Sequence, residues 1–245
     1  MSAPRHQSRV LAARYRDCLL GDTGSLVLLL AQAPLIGWLC AVVWGSIERD
    51  TPPLYFVLCL AAMWFGCINA CREIVKERAI LERERLFGLR PGAYVLSKIW
   101  VLASLGAVQV VLLQGTVEWH LQLRGPMPVE MLALFGASVA GSGLGLLVSA
   151  VASTQERAVF AVPLLLLPQI LFSELAIPNN LYSDVVGAVE KAMPVHWAFR
   201  VFEESTALEP RWHMVAVFLL ILFAMATALV GATALALLPR REIVT

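Results

Sequence analysis

The sequence predicts an all-α polytopic membrane protein, and three observations carry that reading. Hydrophobic residues make up 59% of the 245 positions and charged residues only 15%. The mean hydropathy is +0.74. The charges that exist are gathered between long apolar runs. Soluble domains carry about 25% charged residues, and a globule of this length could not enclose so much apolar surface in one core. The net charge of +1 provides no single-sign field to steer polyanions, which argues against a nucleic-acid partner. A spanning helix needs about 20 apolar residues, so the chain accommodates six or seven spans and no soluble catalytic domain.

Taken in order, residues 1–23 predict an amphipathic helix. Val10, Leu11, Tyr15, Cys18 and Leu19 recur at helical spacing between Arg5, Arg9, Arg14 and Arg16. Such a helix suits the cytoplasmic membrane surface, where arginines meet anionic headgroups; a frayed basic tail is the weaker alternative. The first apolar run exceeds the length of a signal-peptide core, so it is expected to stay as a span. Residues 24–245 then predict a six-helix transmembrane domain. Its spans are Gly24–Ser46 (bounded by Glu48, Arg49 and Asp50), Pro53–Cys71, Tyr94–Val117, Val129–Ala152, Ala158–Phe172 and Met214–Leu238, the last closed by Pro239, Arg240 and Arg241. The fifth is short, and Pro163 and Pro168 are expected to break its backbone ladder.

Orientation follows from the basic residues. With both termini cytoplasmic, the inner segments, together with Lys98 just inside the third span, hold fourteen of the nineteen Lys and Arg residues. Trp44, Trp119, Trp197 and Trp212 then fall near the outer interface.

Three segments stand out. The stretch 72–90 is dense in both signs, and its Glu73–Lys76 and Glu82–Arg85 spacings favour a helix that Gly88 and Pro91 terminate. By pattern alone it reads equally as a docking helix or as a solvated connector. Ala137, Gly141 and Gly145, with Ser138 and Ser142 alongside, form a small-residue series suited to close helix packing within the chain. The external segment 174–211 is long but not polar throughout. Val185, Val186, Val189 and Met193 make a helical stripe, and an aromatic stretch follows Pro194, which predicts short re-entrant helices.

Absences narrow the chemistry. No span carries a central acid or base, which weakens proton relays; Glu118 and Glu130 sit at span ends, a position expected to be wet. The four histidines show no metal spacing. The cysteines, Cys18, Cys40, Cys59, Cys67 and Cys71, are odd in number and confined to the first third, so they are no disulfide framework. None of the lysines Lys76, Lys98 and Lys191 completes a phosphate-binding loop. Any ATP-driven work therefore requires another polypeptide.

Against that background, the run from Arg72-Glu73-Ile74-Val75-Lys76-Glu77-Arg78 through Arg83-Glu84-Arg85 and Gly88-Leu89 to Tyr94-Val95-Leu96-Ser97-Lys98 resembles the permease domain of type-2 ABC exporters. Within that family it is most similar to the G-subfamily-like (white/pleiotropic-drug-resistance-like) half in its bacterial form, often fused behind an FHA domain and an ATPase. Leu28–Leu39, Thr154–Ser173 and Met193–Phe199 match further segments in the same order. The resemblance implies that the helix at 72–90 couples to an ATPase subunit through Glu73, Glu77, Arg78, Arg83, Glu84 and Arg85. It implies that residues 5–20 form the connecting helix beside that partner. It places Phe65, Ile170, Phe172 and Leu175 along the substrate pathway; where relatives carry two leucines as a valve, this chain has Leu175-Ala176. The expected partners are the ATPase, which would bind ATP and magnesium in place of any cofactor here, a second permease half in a homodimer, and membrane lipids. The expected location is a bacterial inner membrane. The expected activity is export of an amphipathic or lipid-like cargo by alternating access. A non-transporting scaffold that docks a cytoplasmic partner is the competing reading.

Overall fold

Helix suits long apolar runs in lipid, because it satisfies every backbone donor and acceptor within its own segment. The computed structural model describes residues 4–45, 51–121, 123–177 and 183–238, and among these no strand occurs. In chain order the helices are α1 (Pro4–Gly21), α2 (Thr23–Trp44), α3 (Pro52–Ala70), α4 (Arg78–Leu86), α5 (Pro91–Leu121), α6 (Met127–Val151), α7 (Gln155–Leu171), α8 (Asp184–Lys191), α9 (Pro194–Thr206) and α10 (Trp212–Ala236). Their ends follow the sequence chemistry. Asp22 accepts from the Ser25 backbone N–H to cap α2, Thr154 accepts from Arg157 to cap α7, and prolines open α3, α5, α6 and α9. The expected bounding residues Glu48, Arg49, Asp50, Pro239, Arg240 and Arg241 lie outside the described residues.

Among the described residues, five helical stretches are long and apolar enough to cross a membrane: Thr23–Trp44, Pro52–Leu86, Pro91–Leu121, Met127–Val151 and Trp212–Ala236. The predicted fifth span is not among them. At 17 residues, α7 rises only about 25 Å against a hydrocarbon core of about 30 Å. Its two prolines do not break it, contrary to expectation; the helix runs through Pro163 and Pro168, each ring removing one donor without ending the segment.

The bundle is built around α3. Its apolar stretch is 78% buried, against 22% for α2 and 17% for α10, so α3 is central and those two are peripheral. The pairing of α3 with α6 is unusually close, and the small-residue series explains it. A Cβ added at Gly66 would lie 1.9 Å from the Ser138 carbonyl oxygen, and one at Gly141 would lie 2.2 Å from that of Met63. Backbones meet directly there, so the series serves packing within the chain as the sequence suggests. A polar tie joins three helices. Asn69 Nδ2 donates to Gln109 Oε1 at 2.7 Å, and Gln109 Nε2 donates to the Leu29 carbonyl at 2.7 Å. Far from water, such amide bonds fix rotational register as well as adding attraction.

At the end opposite α4, α9 packs into the bundle instead of skirting it. Val195, Ala198, Phe199 and Phe202 form its buried face. Phe202 stacks on Tyr55 at 5.2 Å between centroids, and Phe199 meets Phe56 edge-on at 5.9 Å. The stripe expected in α8 is partly displaced, since Val185 is exposed while Gly187 and Glu190 face inward. Glu130, expected to be wet, is fully buried. Gln114 Nε2 donates to its Oε2 at 2.5 Å, and the 123–126 connection closes over it, with Gly125 so near that an added Cβ would lie 2.3 Å from Oε1.

Gly141→Val should lower the unfolding free energy by about 2 kcal/mol through overpacking, measured as thermal unfolding in detergent. Gly231→Val, where an added side chain meets open space, should change it little.

Candidate functional site

The charged segment after α3 folds as a tight turn, a short 3-10 turn at Val75–Glu77 and then α4. Gly88 ends it with φ at +91°, a left-handed conformation that glycine adopts without penalty. Leu89 N–H returns to the Glu84 carbonyl and Gly88 N–H to that of Arg85, which satisfies the last carbonyls of α4.

The segment is tied to four other helices. On α5, Lys98 is 2% exposed, a position where an ammonium needs counter-charges. Its Nζ lies 3.3 Å from Glu73 Oε2 and 2.9 Å from Glu77 Oε2. The Tyr94 hydroxyl donates to Glu77 at 3.0 Å, and Lys76 pairs with Glu73. From α1, the Tyr15 ring covers the ammonium at 3.7 Å from its centroid, a cation–π contact in a desolvated setting. Burial and the neighbouring carboxylates raise the Tyr15 phenol well above its ordinary range, so it stays neutral. Two cations and two anions thus close into a neutral cluster.

The remaining ties use hydrogen bonds. The buried Ser149 hydroxyl on α6 accepts from the backbone N–H groups of Ile74 and Val75 at 2.9 and 3.0 Å. Arg78 donates to the Ala150 carbonyl at 2.8 Å, and Arg85 donates to the Leu237 carbonyl just beyond α10. These guanidiniums serve the open C-terminal ends of α6 and α10, where helix carbonyls lack intrahelical donors. On the solvent side, Arg14 of α1 pairs with Glu84 at 2.6 Å.

Glu73, Glu77, Arg78, Glu84 and Arg85 are therefore gathered into one network, while Arg83 is exposed beside it. The Glu73–Lys76 pair forms as its spacing suggests. The Glu82–Arg85 pair does not, because Arg85 reaches Leu237 instead. The hub, Lys98, stands in the family-like run of the sequence but without an assigned role; its signal is a lone lysine a few positions inside an apolar span, which must reach a carboxylate or the surface. In α1 the inward face is Leu11, Ala12, Tyr15 and Leu19, with Val10 and Cys18 turned outward.

The four pathway residues are not brought together. Phe65 is fully enclosed in the core, whereas Ile170 and Leu175 are exposed and Phe172 half-buried around the C-terminal end of α7. The turn carrying Leu175 is held by Glu190 of α8, whose Oε1 accepts from the Glu174 backbone N–H at 2.9 Å and lies 3.2 Å from His196 Nδ1. Between α7 and α10 an apolar crevice of about 470 Å³ opens, lined by Leu165, Pro168, Met225 and Leu229 among others.

An interfacial charged helix wired into the spans of a helical membrane bundle is an arrangement that suits a permease. The family model described as ABC-2 type transporter matches residues 6–207, and the chain belongs to that family. It is thus a membrane permease component of the ABC transporter class. One relative is the ABC transporter ATP-binding/permease protein Rv1747 of Mycobacterium tuberculosis, 25% identical over 191 residues. The match covers 70% of this chain and 22% of that protein's length.

Lys98→Met would leave the buried Glu73 and the half-buried Glu77 without their shared cation and should cost about 3 kcal/mol of stability. Adding Glu73→Gln and Glu77→Gln to it should restore much of that loss. Denaturant unfolding followed by tryptophan fluorescence measures both.

Proposed function

We propose that the chain is the transmembrane subunit of an ATP-driven exporter of the G-subfamily-like type in its bacterial form. In this reading it crosses the inner membrane six times with both termini cytoplasmic, α7 and the turn after it making the fifth crossing. Residues 1–23 are the connecting helix and 24–245 the permease domain. ATP and magnesium bind to a separate ATPase subunit, and two copies of the chain form the transporter.

One observation carries the proposal. The segment 71–86 is anchored to α1, α5, α6 and α10, yet its far side is free: Leu86 and Phe87 are each 86% exposed, with Arg83 beside them. Between α1 and α4 runs a groove of about 370 Å³ lined by His6, Gln7, Val10, Leu11, Glu84, Phe87 and Leu89. Exposed apolar side chains rimmed by charge are the anatomy of a docking surface. A partner seated there would push α4, and the Lys98 cluster would pass the displacement to α5. The guanidiniums of Arg78 and Arg85 would pass it to α6 and α10. The bundle would then exchange between inward and outward states, with the partner's binding energy setting the balance. Ile170, Phe172 and Leu175 would border the pathway, Phe65 would join them once the bundle opens around α3, and the apolar walls suit an amphipathic or lipidic cargo. The name of the mycobacterial relative joins ATP-binding and permease functions in one protein; here the ATP-binding function falls to the separate subunit.

Vesicles reconstituted with the ATPase test this. The Arg14–Glu84 pair is partly exposed, at 47% and 27% of the side chains, so it contributes at most about 1 kcal/mol to stability. Glu84→Ala should therefore abolish ATP-dependent movement of a fluorescent lipid while the dimer stays folded. Unchanged transport would contradict the coupling role. Phe87→Asp should prevent co-purification of the ATPase. Stable ATPase binding with no ATP-dependent movement of any cargo would favour a scaffold instead.

A further inference from the structure

A cavity of about 430 Å³ lies where α4 crosses the ends of α6 and α10. Its lining has two characters. Arg78, Glu82 and Arg85 of α4 form one wall; Val151, Leu235 and Leu238 are among the residues forming the other. The apolar wall is open, with Val151 72%, Leu235 68% and Leu238 51% exposed at the very ends of their spans. In a bilayer that surface meets the upper part of the acyl chains, while the arginines stand at headgroup depth.

The arginines are already oriented. Arg78 is fixed by its bond to the Ala150 carbonyl and Arg85 by its bond to that of Leu237. Each guanidinium carries five N–H donors in a rigid fork, so one bond to a helix end leaves donors for an oxyanion. With Glu82 opposing, the three charged groups sum to one positive charge, which matches one singly charged anion. The volume accommodates a phosphate and its glycerol, not the tails, which would follow Leu235 and Leu238 along α10.

From this geometry we propose that the cavity binds the headgroup phosphate of an anionic phospholipid, one per chain, in the leaflet next to α4. The inference rests on the membrane placement under Proposed function but not on ATP coupling. It makes the position of α4 sensitive to local lipid charge, since the lipid bridges the same two arginines that hold α4 to α6 and α10.

The test uses the full-length chain purified in detergent, with bound lipid counted by native mass spectrometry. Dioleoyl phosphatidylglycerol should be retained over dioleoyl phosphatidylcholine, and millimolar inorganic phosphate should not displace it. Arg78→Gln and Arg85→Gln should each weaken retention about fivefold, the factor for one cation lost near an anionic surface. Glu82→Gln should strengthen it, and because the Glu82 side chain anchors neither helix end, that variant carries the test should an arginine variant misfold. Equal retention of the two lipids, no change in Glu82→Gln, or full displacement by phosphate would each overturn the proposal. Selectivity for phosphatidylglycerol with failed transport would count against the exporter reading alone; transport without selectivity would count against the lipid site alone.

Discussion

An ammonium group sealed among apolar helices is tolerable only when carboxylates meet it, and this requirement organises the α4 end of the protein. Lys98 enters from α5 and draws Glu73 and Glu77 from the segment after α3. Tyr15 then brings α1 over the cation. Neither Lys98 nor Glu73 could be buried alone, because removing the counter-charge leaves a desolvation cost of several kcal/mol. Satisfied together, these groups hold α1, α5 and the turn after α3 in one arrangement. The charged segment is consequently part of the membrane domain and not a strap hung beneath it.

The rest of the bundle supplies the stiffness that makes such an anchor useful. Backbone contact between α3 and α6 at Gly66 and Gly141 leaves no side-chain layer to yield. The Asn69–Gln109–Leu29 tie sets the rotation of α2, α3 and α5, and the aromatic face of α9 closes the far end. By contrast α7 is short, carries two prolines and turns Phe160, Leu164, Leu167 and Leu171 outward. A rigid core beside a lightly held helix is a mechanical division that the proposed alternating access would use.

Much of this was legible in the sequence for a simple reason: lipid imposes a period and a length on every span. The bounds of α2, α3, α6 and α10 follow from apolar runs, and Gly88 marks the end of α4 because only a left-handed residue closes that turn. The small-residue series announced a close contact, although not that α3 would be its partner. What stayed hidden depends on contacts between residues distant in the chain. Nothing local links Lys98 to Glu73 and Glu77, or Arg85 to Leu237. Glu130 looked wet from its place at a helix start and is enclosed by Gln114 and Gly125. Phe65, placed on the pathway by resemblance, sits in the solid core of the protomer, apart from Ile170, Phe172 and Leu175.

The central claim is that Lys98 fixes the α4 segment to the membrane domain without help from a partner. Hydrogen–deuterium exchange over residues 72–90 of the purified chain tests it directly, with Lys98→Met compared against the unmodified protein. If the cluster is the anchor, the substitution should speed exchange at Ile74–Leu81 by at least about tenfold, the factor for about 1.4 kcal/mol of lost local stability, while α3 and α6 stay protected. Equal protection of that segment in the two proteins would contradict the account.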